Sequence, residues 1–519
     1  MTEAPASTPE PAPTLAGRAA VPPGVPIPAE ARATRGEIAI LVAIVVLAAI
    51  LRVIHLDQGL WYDEVLTLTR FVRLPVTAVV TDFSSFNNHV LYSLQAKAAV
   101  ALFGESAWAL RLPAALFGIA GVVVTWLLAA LAVGKRRALL AAFLIAISYH
   151  HVWFSQNARG YTEMLFWTAL GTVLFLRGMR RPDARVWAGY AICVVAGVYT
   201  HLSAAVLFAA HVIVHALALA LPRVRQTYPG LTDRRAFVAY GVAAVATGLL
   251  YAPLIAQIAT TRRRVAGGNP AAPLAEWANP LRSFQEMLRA ADALGWLAPV
   301  AVLVAVLLIV QGARHVGRRQ PMLVAIYALH VPLTVAFTSA LALRLWPRYF
   351  FVDAAFVFTC VAVGATDWAE RAAGWVAGQG RAPAAIRRYA VAGMVVVLAA
   401  GSAVLLARNY ASPKQDLAGA VAMVERQRAP GDIATSVGRG SEPLRAYYAP
   451  DWPVLTDPAV LRNWLDAGRR VWVVMAFPAI TESNFPAVRA ILASRFDLVA
   501  ALPGTLGGGS VRVYRSRDR

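Results

Sequence analysis

The chain has few cysteines, few acidic residues and little charge overall. Its 519 residues include two cysteines, and 28 Asp and Glu stand against 49 Lys and Arg. Cys193 and Cys360 both fall in apolar segments, so the sequence supplies neither a disulfide framework nor a cysteine-based zinc site. Only 15% of the residues are charged and 58% are hydrophobic, which is more apolar surface than a soluble globular protein needs. The composition therefore predicts a polytopic membrane protein.

The first 34 residues lack any apolar run. They are rich in Pro and Ala and have no helical period, so we expect a disordered cytoplasmic tail over residues 1–34. A cleavable signal is not expected, because the first apolar run begins only near Ile38. The net charge of +21 lies mostly in short loops between apolar segments, so we expect no nucleic-acid partner.

Eleven apolar runs are long enough to cross a bilayer, or nearly so. They lie at about 37–54, 107–133, 138–155, 161–177, 187–200, 203–221, 236–258, 295–311, 322–342, 348–366 and 388–407. These runs predict an α-helical polytopic membrane protein with about 11 transmembrane helices, in a domain that covers residues 35–410.

The distribution of positive charge predicts an orientation. If the N-terminus is cytoplasmic, the loops after the even-numbered spans are cytoplasmic as well, and each of them carries a basic cluster such as Lys135-Arg136-Arg137. The outer face then receives two long loops, 55–106 and 259–294, and the C-terminal segment. We therefore expect a multi-pass protein of the inner (plasma) membrane.

The composition changes near Ser412. A helical pattern at 415–428 is followed by candidate strands, and further helical patterns occur near 458–467 and 484–493. The candidate strands are Ile433–Val437, Val471–Met475, Asp497–Ala501 and Val511–Tyr514. This alternation predicts a small extracytoplasmic α/β domain over residues 411–519. Gly507–Gly509 is interpreted as a hairpin turn, and the domain carries no phosphate-binding glycine loop.

Two adjacent carboxylates, Asp63 and Glu64, follow the first apolar run in the segment Leu60–Glu64. Neighbouring side chains cannot point the same way on a regular helix or strand, so their roles should differ. A solvated pair of loop acids is one interpretation. The flanking residues are apolar, however, and acids that are partly desolvated at a membrane surface are costly unless they are used.

Other polar residues gather in the predicted outer segments. Asn88 and His89 precede an interfacial helix and are interpreted either as a cap and an interface residue or as substrate contacts. Arg159 lies in a turn rich in hydrogen-bond donors, where it would either snorkel to the surface or bind phosphate bidentately.

Two further basic sites lie in outer loops. Arg262-Arg263-Arg264 contradicts the expected charge of an outer loop, and it is either a solvated charge run or a contact for diphosphate head groups. Arg348 lies beside Tyr349 in a very short outer turn, close enough to the bilayer to meet a lipid phosphate.

Taken in order, these residues resemble the C-type multi-spanning glycosyltransferases. The resemblance is to the branch that includes the dolichyl-phosphate-mannose protein mannosyltransferases and the aminoarabinose transferases of lipid A, which is like glycosyltransferase family 39. Its elements are Trp61-Tyr62-Asp63-Glu64, Asn88-His89-Val90-Leu91-Tyr92, Ala109-Leu110-Arg111-Leu112-Pro113, Ser155–Tyr161 and Arg348-Tyr349. Related loops often carry proline after the histidine, where this chain has Val90.

The resemblance implies a set of site residues. Asp63 would remove the acceptor proton or orient the acceptor, and Glu64 would be its structural or metal-holding neighbour in a catalytic pair. The donor phosphate would be bound by Arg159, Arg348, Arg262, Arg263 and Arg264. Substrate contacts would come from Asn88, His89, Gln156, Tyr161 and Tyr349. No cofactor is certain, and the two acids supply too few ligands to name a divalent metal.

The function implied is transfer of a sugar from a polyprenyl-phosphate donor to an acceptor on the non-cytoplasmic face. The acceptor is a lipid, a glycan or a protein. The alternatives are a secondary transporter or lipid flippase, which would place charge near mid-membrane and show paired repeats, and a non-catalytic membrane scaffold.

Overall fold

The computed structural model describes residues 32–266, 285, 288, 295–378 and 383–517, except for the side chains of residues 223 and 264–266. The predicted disordered tail lies outside the described residues apart from 32–34, and so does most of the predicted outer loop 259–294. The first described helix begins with a capping box. The Thr34 side chain accepts a hydrogen bond from the Glu37 backbone, and Glu37 accepts one from the Thr34 backbone.

Thirteen helices lie between residues 32 and 266 of the described chain. They are α1 Arg35–Val53, α2 Tyr62–Thr67, α3 Val76–Thr81, α4 Val90–Phe103, α5 Ala107–Val133, α6 Lys135–Ala146, α7 Tyr149–Ser155, α8 Tyr161–Arg180, α9 Ala184–Thr200, α10 Ala204–Ala220, α11 Pro222–Thr227, α12 Arg234–Tyr251 and α13 Ile255–Ala266. A π-helical turn, Leu68–Val72, continues α2.

The second part of the described chain contains four long helices followed by shorter ones. These are α14 Ala298–Arg319, α15 Pro321–Ala340, α16 Ala354–Val376, α17 Ala384–Ala411, α18 Leu417–Gln427, α19 Ser441–Pro443, α20 Pro458–Asp466, α21 Pro478–Asn484 and α22 Pro486–Arg495. A 3₁₀ turn, Pro347–Asp353, leads directly into α16.

The helices agree with the predicted membrane domain. Each of the eleven predicted apolar runs consists mainly of helical residues. By length and apolarity, seven of the described helical segments are able to cross a membrane, and the bent pair of α6 and α7 adds an eighth. The runs at 187–200 and 203–221 fall on α9 and α10, which have 17 residues each, at the lower limit for a span.

The predicted run at 138–155 is broken. Helices α6 and α7 meet at an angle of 63°. Ser148 lies at the break, where its hydroxyl accepts a hydrogen bond from the His151 backbone and so caps α7. The break turns the chain toward Arg159, one of the candidate site residues.

Two glycines allow α14 and α16 to pack closely. A Cβ atom on Gly312 would collide with the backbone of Cys360, and one on Gly364 would collide with the backbone of Leu308. Small residues at such contacts let helices in a membrane approach closely and gain van der Waals contact.

The C-terminal segment forms the predicted α/β domain. Its strands are β1 Ile433–Val437, β2 Val454–Leu455, β3 Val471–Ala476, β4 Phe496–Leu502 and β5 Val511–Ser516. The sheet has the order β2-β1-β3-β5-β4, and β1 pairs in parallel with both β2 and β3. Strand β5 pairs antiparallel with β3 and β4, so the hairpin predicted at Gly507–Gly509 is confirmed.

Candidate active site

The acid pair lies on α2, at the end of the bundle where α1 ends. Glu64 is completely buried, and its carboxylate accepts hydrogen bonds from Arg111 Nε at 2.7 Å and Nη2 at 2.6 Å. The backbone amides of Ala158 and Trp61 donate to the same carboxylate at 2.7 and 3.2 Å. Burial alone would raise the pKa of Glu64, but the Arg111 guanidinium outweighs it and holds the pKa below its ordinary value.

Arg111 also fixes the loop that precedes α2. It donates to the carbonyl oxygens of Leu56, Gln58 and Gly59 at 2.8, 2.7 and 3.1 Å. Since both partners of the Glu64–Arg111 pair are buried and both carboxylate oxygens have donors, the pair holds the loop to α5.

Asp63 points to a different partner. Its Oδ2 forms an ion pair with Arg159 Nη1, and 18% of the Asp63 side chain is exposed while Arg159 is buried. The backbone carbonyl of Asp63 accepts a hydrogen bond of 2.9 Å from Asn87. Of the two acids, Asp63 is therefore the one open to a ligand.

Arg159 connects Asp63 to a cluster of rings. Its Nη2 lies 3.0 Å from His89 Nε2 and donates to the Tyr161 hydroxyl at 3.2 Å. The other His89 nitrogen, Nδ1, accepts a hydrogen bond of 2.9 Å from the Gly160 amide. Among the described residues, the buried Nε of Arg159 has no hydrogen-bond partner.

The two histidines of this cluster are neutral at physiological pH. Burial, together with Arg159, His201 and Arg348, lowers the pKa of His89 well below its ordinary value. Burial and the same two arginines lower the pKa of His201 to about 3. The rings of His89 and His201 meet edge to face, 4.6 Å apart between centroids.

Two cavities meet at Arg159. The first, here called the lipid cavity, has a volume of about 530 Å³ and is lined mainly by apolar residues of α8, α9, α10, α12, α13 and α15. The second, here called the Asp63 cleft, measures about 340 Å³ and is lined by Tyr62, Asp63, Arg70 and residues 84–87. Phe86, Arg159 and Arg348 line both cavities.

Arg348 lies on the 3₁₀ turn before α16 and reaches this boundary. Its guanidinium carbon lies 4.6 Å from the centroid of the Trp346 ring. Within the described part of the chain, Arg348 forms no ion pair. Arg344 and Arg262 also line the lipid cavity, and Arg262 donates to the carbonyl oxygen of Leu341 at 3.2 Å.

Arg263 does not join this group of basic residues in the described chain. Arg263 is exposed and lines neither cavity. The side chain of Arg264 lies outside the described residues.

The predicted substrate contacts divide into two groups. His89, Tyr161 and Tyr349 line the lipid cavity. Asn88 touches the same cavity, but its amide nitrogen donates to the carbonyl oxygens of Val79 and Asp82.

Gln156 is held away from both cavities. Its side-chain amide nitrogen donates to the backbone carbonyls of Leu51, Arg52 and Ile54. Its side-chain oxygen accepts a hydrogen bond from Asn409. Its polar atoms therefore tie the end of α1 to α17.

The described residues do not fit a metal. No group of three His, Cys, Asp or Glu side chains in the described chain comes together to hold an ion. Glu64, the candidate metal-holding neighbour, uses both carboxylate oxygens on Arg111 and on backbone amides.

Sequence reasoning assigned no role to the residues that hold the acid loop from the C-terminal domain. Gln415 accepts a hydrogen bond of 3.2 Å from the Tyr62 amide, and Tyr448 donates to the carbonyl of Leu60 at 2.7 Å. Glu442 accepts a hydrogen bond of 2.7 Å from Arg70 Nε. The residues in each of these contacts are more than 350 positions apart in sequence, and no local sequence pattern predicts such contacts.

Comparison with known families gives a match over the centre of the chain. Residues 90–252 match the sequence model of the family described as dolichyl-phosphate-mannose-protein mannosyltransferase, just under a third of the chain. The matched segment contains Arg159, Tyr161 and His201. It excludes Asp63, His89 and Arg348. No curated protein sequence matches the chain.

Comparison with solved structures extends over nearly the whole chain. The apo structure of ArnT from Cupriavidus metallidurans has a TM-score of 0.50 and 14% identity, over 92% of this chain and 98% of that one. The structure of ArnT bound to undecaprenyl phosphate has a TM-score of 0.49 and 12% identity, over 93% and 98%. The Archaeoglobus fulgidus oligosaccharyltransferase tethered with an acceptor peptide has a TM-score of 0.49 and 14% identity, over 91% and 74%.

At these identities the structural likeness concerns the fold. The fold is that of the C-type glycosyltransferases, and a segment of the sequence matches one of their families. Together they support membership of the C-type superfamily and the activity of a membrane glycosyltransferase.

Proposed function

We propose that the chain transfers a sugar from a polyprenyl-phosphate donor in the lipid cavity to an acceptor in the Asp63 cleft. The observation that carries the proposal is that Arg159 and Arg348 line both cavities. A donor with its prenyl chain in the apolar cavity and its phosphate on these arginines would present its sugar to the cleft that contains Asp63.

The shape and composition of the lipid cavity favour a lipid-linked donor. Its walls are mostly apolar, and its basic residues, Arg159, Arg262, Arg344 and Arg348, suit an anionic head group. The family whose model matches residues 90–252 is named for dolichyl-phosphate-mannose, which is a donor of this class.

At the boundary, one hydrogen-bond donor, Arg159 Nε, has no acceptor among the described residues, and a second, His89 Nε2, faces another donor. His89 Nδ1 accepts from Gly160, so in the neutral ring the proton is on Nε2, which then faces the guanidinium of Arg159. Two donors facing each other are satisfied when an anion contacts both. The unpartnered Nε of Arg159 supports the same conclusion, and a donor phosphate supplies the oxygens.

The reaction follows from this arrangement. An acceptor oxygen attacks the anomeric carbon of the sugar, the bond from that carbon to the phosphate oxygen breaks, and the acceptor proton passes to the Asp63 carboxylate. The negative charge that develops on the leaving polyprenyl phosphate is stabilised by Arg159 and Arg348. When the phosphate binds Arg159, it competes with Asp63 for the guanidinium and leaves the carboxylate free to face the acceptor.

In this account Glu64 positions Asp63 and does not react. It is fully occupied by Arg111 and two backbone amides, and it fixes the first turn of α2, where Asp63 lies. In this proposal Asn88 and Gln156 hold loops, since their amide nitrogens donate to backbone carbonyls.

The proposed face of the membrane is the non-cytoplasmic one, in the inner membrane. The loops at the opposite end of the bundle are basic, as at Lys135–Arg137 and Arg314–Arg319, and positive loops are retained in the cytoplasm. The charged residues described above converge at one end of the bundle, which favours transfer over the transport alternative.

The test is sugar transfer in membranes that carry matched amounts of wild type, Asp63→Asn or Asp57→Asn. A panel of radiolabelled polyprenyl-phosphate sugars serves as donor. Asp57 is an exposed acid of the same outer loop and provides the control. We expect Asp63→Asn to lose at least about 10²-fold of the transfer rate and Asp57→Asn to keep it. Equal rates in all three proteins would remove Asp63 from the mechanism.

A further inference from the structure

A further cavity, lined partly by charged residues, lies at the end of the bundle opposite the candidate active site. It measures about 620 Å³ and opens where the first turns of α6 and α17 meet the end of α16. Its polar side is formed by Arg136 and Arg137 from α6, Arg387 and Arg388 from α17, and Glu370 from α16. We call it the arginine crevice, and it shares no residue with the lipid cavity or the Asp63 cleft.

The crevice carries an excess of positive charge. Arg137 forms an ion pair of 3.5 Å with Glu370, and both side chains are about two-fifths exposed, so this pair is weak. Arg136, Arg387 and Arg388 form no ion pair within the described part of the chain. Four guanidinium groups therefore converge with one carboxylate among them.

The remaining wall of the crevice is apolar. Leu140 from α6 and Val391 and Val395 from α17 continue it along the direction of the helices. Helix α17 lies at the edge of the bundle, and only 6% of its most apolar 18-residue window is buried. A groove beside a peripheral helix, basic at its end and apolar along its length, has the chemistry of an anionic phospholipid.

We propose that the arginine crevice binds an anionic phospholipid, with its phosphate on the arginines and its acyl chains along Leu140, Val391 and Val395. Charge complementarity selects an anionic head group, and the apolar wall selects a lipid over free phosphate. The bound lipid fills the gap between α17 and the rest of the bundle, and it thereby stabilises the attachment of the helix that leads to the C-terminal domain. This site is separate from the proposed donor site, and the proposal does not depend on the enzymatic reaction.

The experiment is a lipid titration of the purified full-length protein in detergent. Phosphatidylglycerol and phosphatidylcholine with identical acyl chains are added separately, and inorganic phosphate is added in a third series. Binding is followed by the shift in apparent unfolding temperature and by lipid retained in native mass spectra. We expect phosphatidylglycerol alone to give a saturable shift. An equal response to phosphatidylcholine, or a response to inorganic phosphate that saturates as readily, would overturn the proposal.

Charge-neutralising variants locate the site. Arg387→Gln with Arg388→Gln should weaken binding of phosphatidylglycerol about 30-fold, because each basic side chain near an anionic lipid contributes a factor of about five. Arg318→Gln with Arg319→Gln removes the same charge from the exposed end of α14, outside the crevice, and should leave the affinity within about twofold, since only the diffuse surface charge changes.

If the two double variants lose the same affinity for phosphatidylglycerol, the effect comes from general surface charge, and the proposed site is wrong. If the Arg387 and Arg388 variant does not fold, Arg136→Gln alone serves in its place, with an expected loss of about fivefold. An unchanged affinity in a folded Arg136→Gln protein would also contradict the proposal.

Discussion

At the scale of single residues, the site depends on two ion pairs with different surroundings. Glu64 and Arg111 are both buried, whereas Asp63 is partly open to the cleft and shares Arg159 with the ring cluster. An ion pair without access to solvent is a structural element that is costly to break, and an accessible pair is able to exchange its partner for a ligand. Adjacent acids thus acquire different roles from their environments.

The buried pair leads to a prediction about stability. Glu64→Gln leaves the buried Arg111 guanidinium without its anion, which typically costs about 3–5 kcal/mol. We expect a clearly lower apparent unfolding temperature in detergent and loss of transfer from misplacement of Asp63. Glu442→Gln, at a half-exposed pair, should change the unfolding temperature much less. Equal unfolding temperatures of Glu64→Gln and wild type would contradict the role given to this pair.

A buried lysine close to this pair predicts a pH dependence of stability. Lys414 donates to the Gln156 carbonyl at 2.5 Å, and burial, aided by Arg111, lowers the pKa of its amine to about 7. Between that value and the ordinary value of 10.5, the unfolded chain holds a proton that the folded chain lacks, so stability rises with pH in this window. Below about pH 7 both states are protonated and the penalty of burying the charge is complete.

The control variant is Lys414→Met, because the methionine side chain has no amine that takes up a proton. From pH 7 to pH 9 the free energy of unfolding of wild type should rise by about 2 kcal/mol relative to the variant, followed as the difference in apparent unfolding temperature. The lost hydrogen bond to Gln156 shifts the variant by an amount independent of pH. Parallel pH curves for the two proteins would show that Lys414 keeps its ordinary titration.

Sequence alone identified candidate residues better than it identified their partners. The acids and Arg159 stood out because charge is rare in so apolar a chain. Arg111 was visible within Ala109–Pro113, and an arginine in an apolar span needs an anion. Asp63 and Glu64 are almost equally far from Arg111 in sequence, however. Which of the two acids pairs with Arg111 depends on the rotation of α5 about its axis, and no local sequence pattern predicts that rotation.

At the scale of elements, the segment that bears Asp63 is fixed from both sides. Helix α5 holds it from within the bundle through Arg111, and the C-terminal domain holds it from outside through Gln415, Tyr448 and Glu442. The Tyr62 and Phe477 rings also meet edge to face at 5.5 Å. The C-terminal domain thus supports α2.

A charge exchange tests this support. Glu442→Arg places two guanidinium groups against each other and should displace α2, with a loss of about tenfold in turnover, since small misplacements of reacting groups are costly. Adding Arg70→Glu restores the pair in the opposite sense and should recover most of the turnover. The KM for the donor should stay unchanged, because no described residue of the C-terminal domain lines the lipid cavity.

The control for that exchange is Asp466→Arg, which breaks an exposed pair with Arg495 elsewhere in the same domain. It should leave turnover near that of wild type. A loss as large as that of Glu442→Arg, or no recovery in the double variant, would show that the domain does not support α2.

The elements themselves were predicted well where a local pattern defines them. Four of the five strands begin and end within about two residues of the prediction, because short apolar runs bounded by turn residues are typical of strands. Strand β2 has two residues, too few for a period, and it exists only by pairing with β1. The bend between α6 and α7 was missed, since the run 138–155 is apolar throughout most of its length and Ser148 alone marks the break.

At the scale of the whole molecule, the two ends of the helical bundle differ in chemistry. One end carries the acids, the shared arginines and the C-terminal domain, and the other carries the arginine crevice. The distribution of positive loops determines which end faces the cytoplasm, so the orientation is predicted from charge and the function depends on it.

Cysteine labelling in right-side-out membrane vesicles tests the orientation. The native Cys193 and Cys360 are buried, so a reagent that does not cross membranes reports on introduced cysteines. Asp466→Cys, in the C-terminal domain, should react in intact vesicles, and Arg185→Cys, in the exposed first turn of α9, should react only after permeabilisation. The reverse pattern would place the candidate active site in the cytoplasm.

The central claim is that Asp63 acts on the acceptor while Arg159 and Arg348 bind the donor phosphate. The most direct test measures, on the same purified protein, the affinity for a polyprenyl phosphate and the rate of sugar transfer, for wild type, Asp63→Asn and Arg348→Gln. We expect Asp63→Asn to keep the affinity and to lose at least about 10²-fold in rate, and we expect Arg348→Gln to lose affinity. Transfer by Asp63→Asn at the wild-type rate, or unchanged affinity in Arg348→Gln, would contradict this claim.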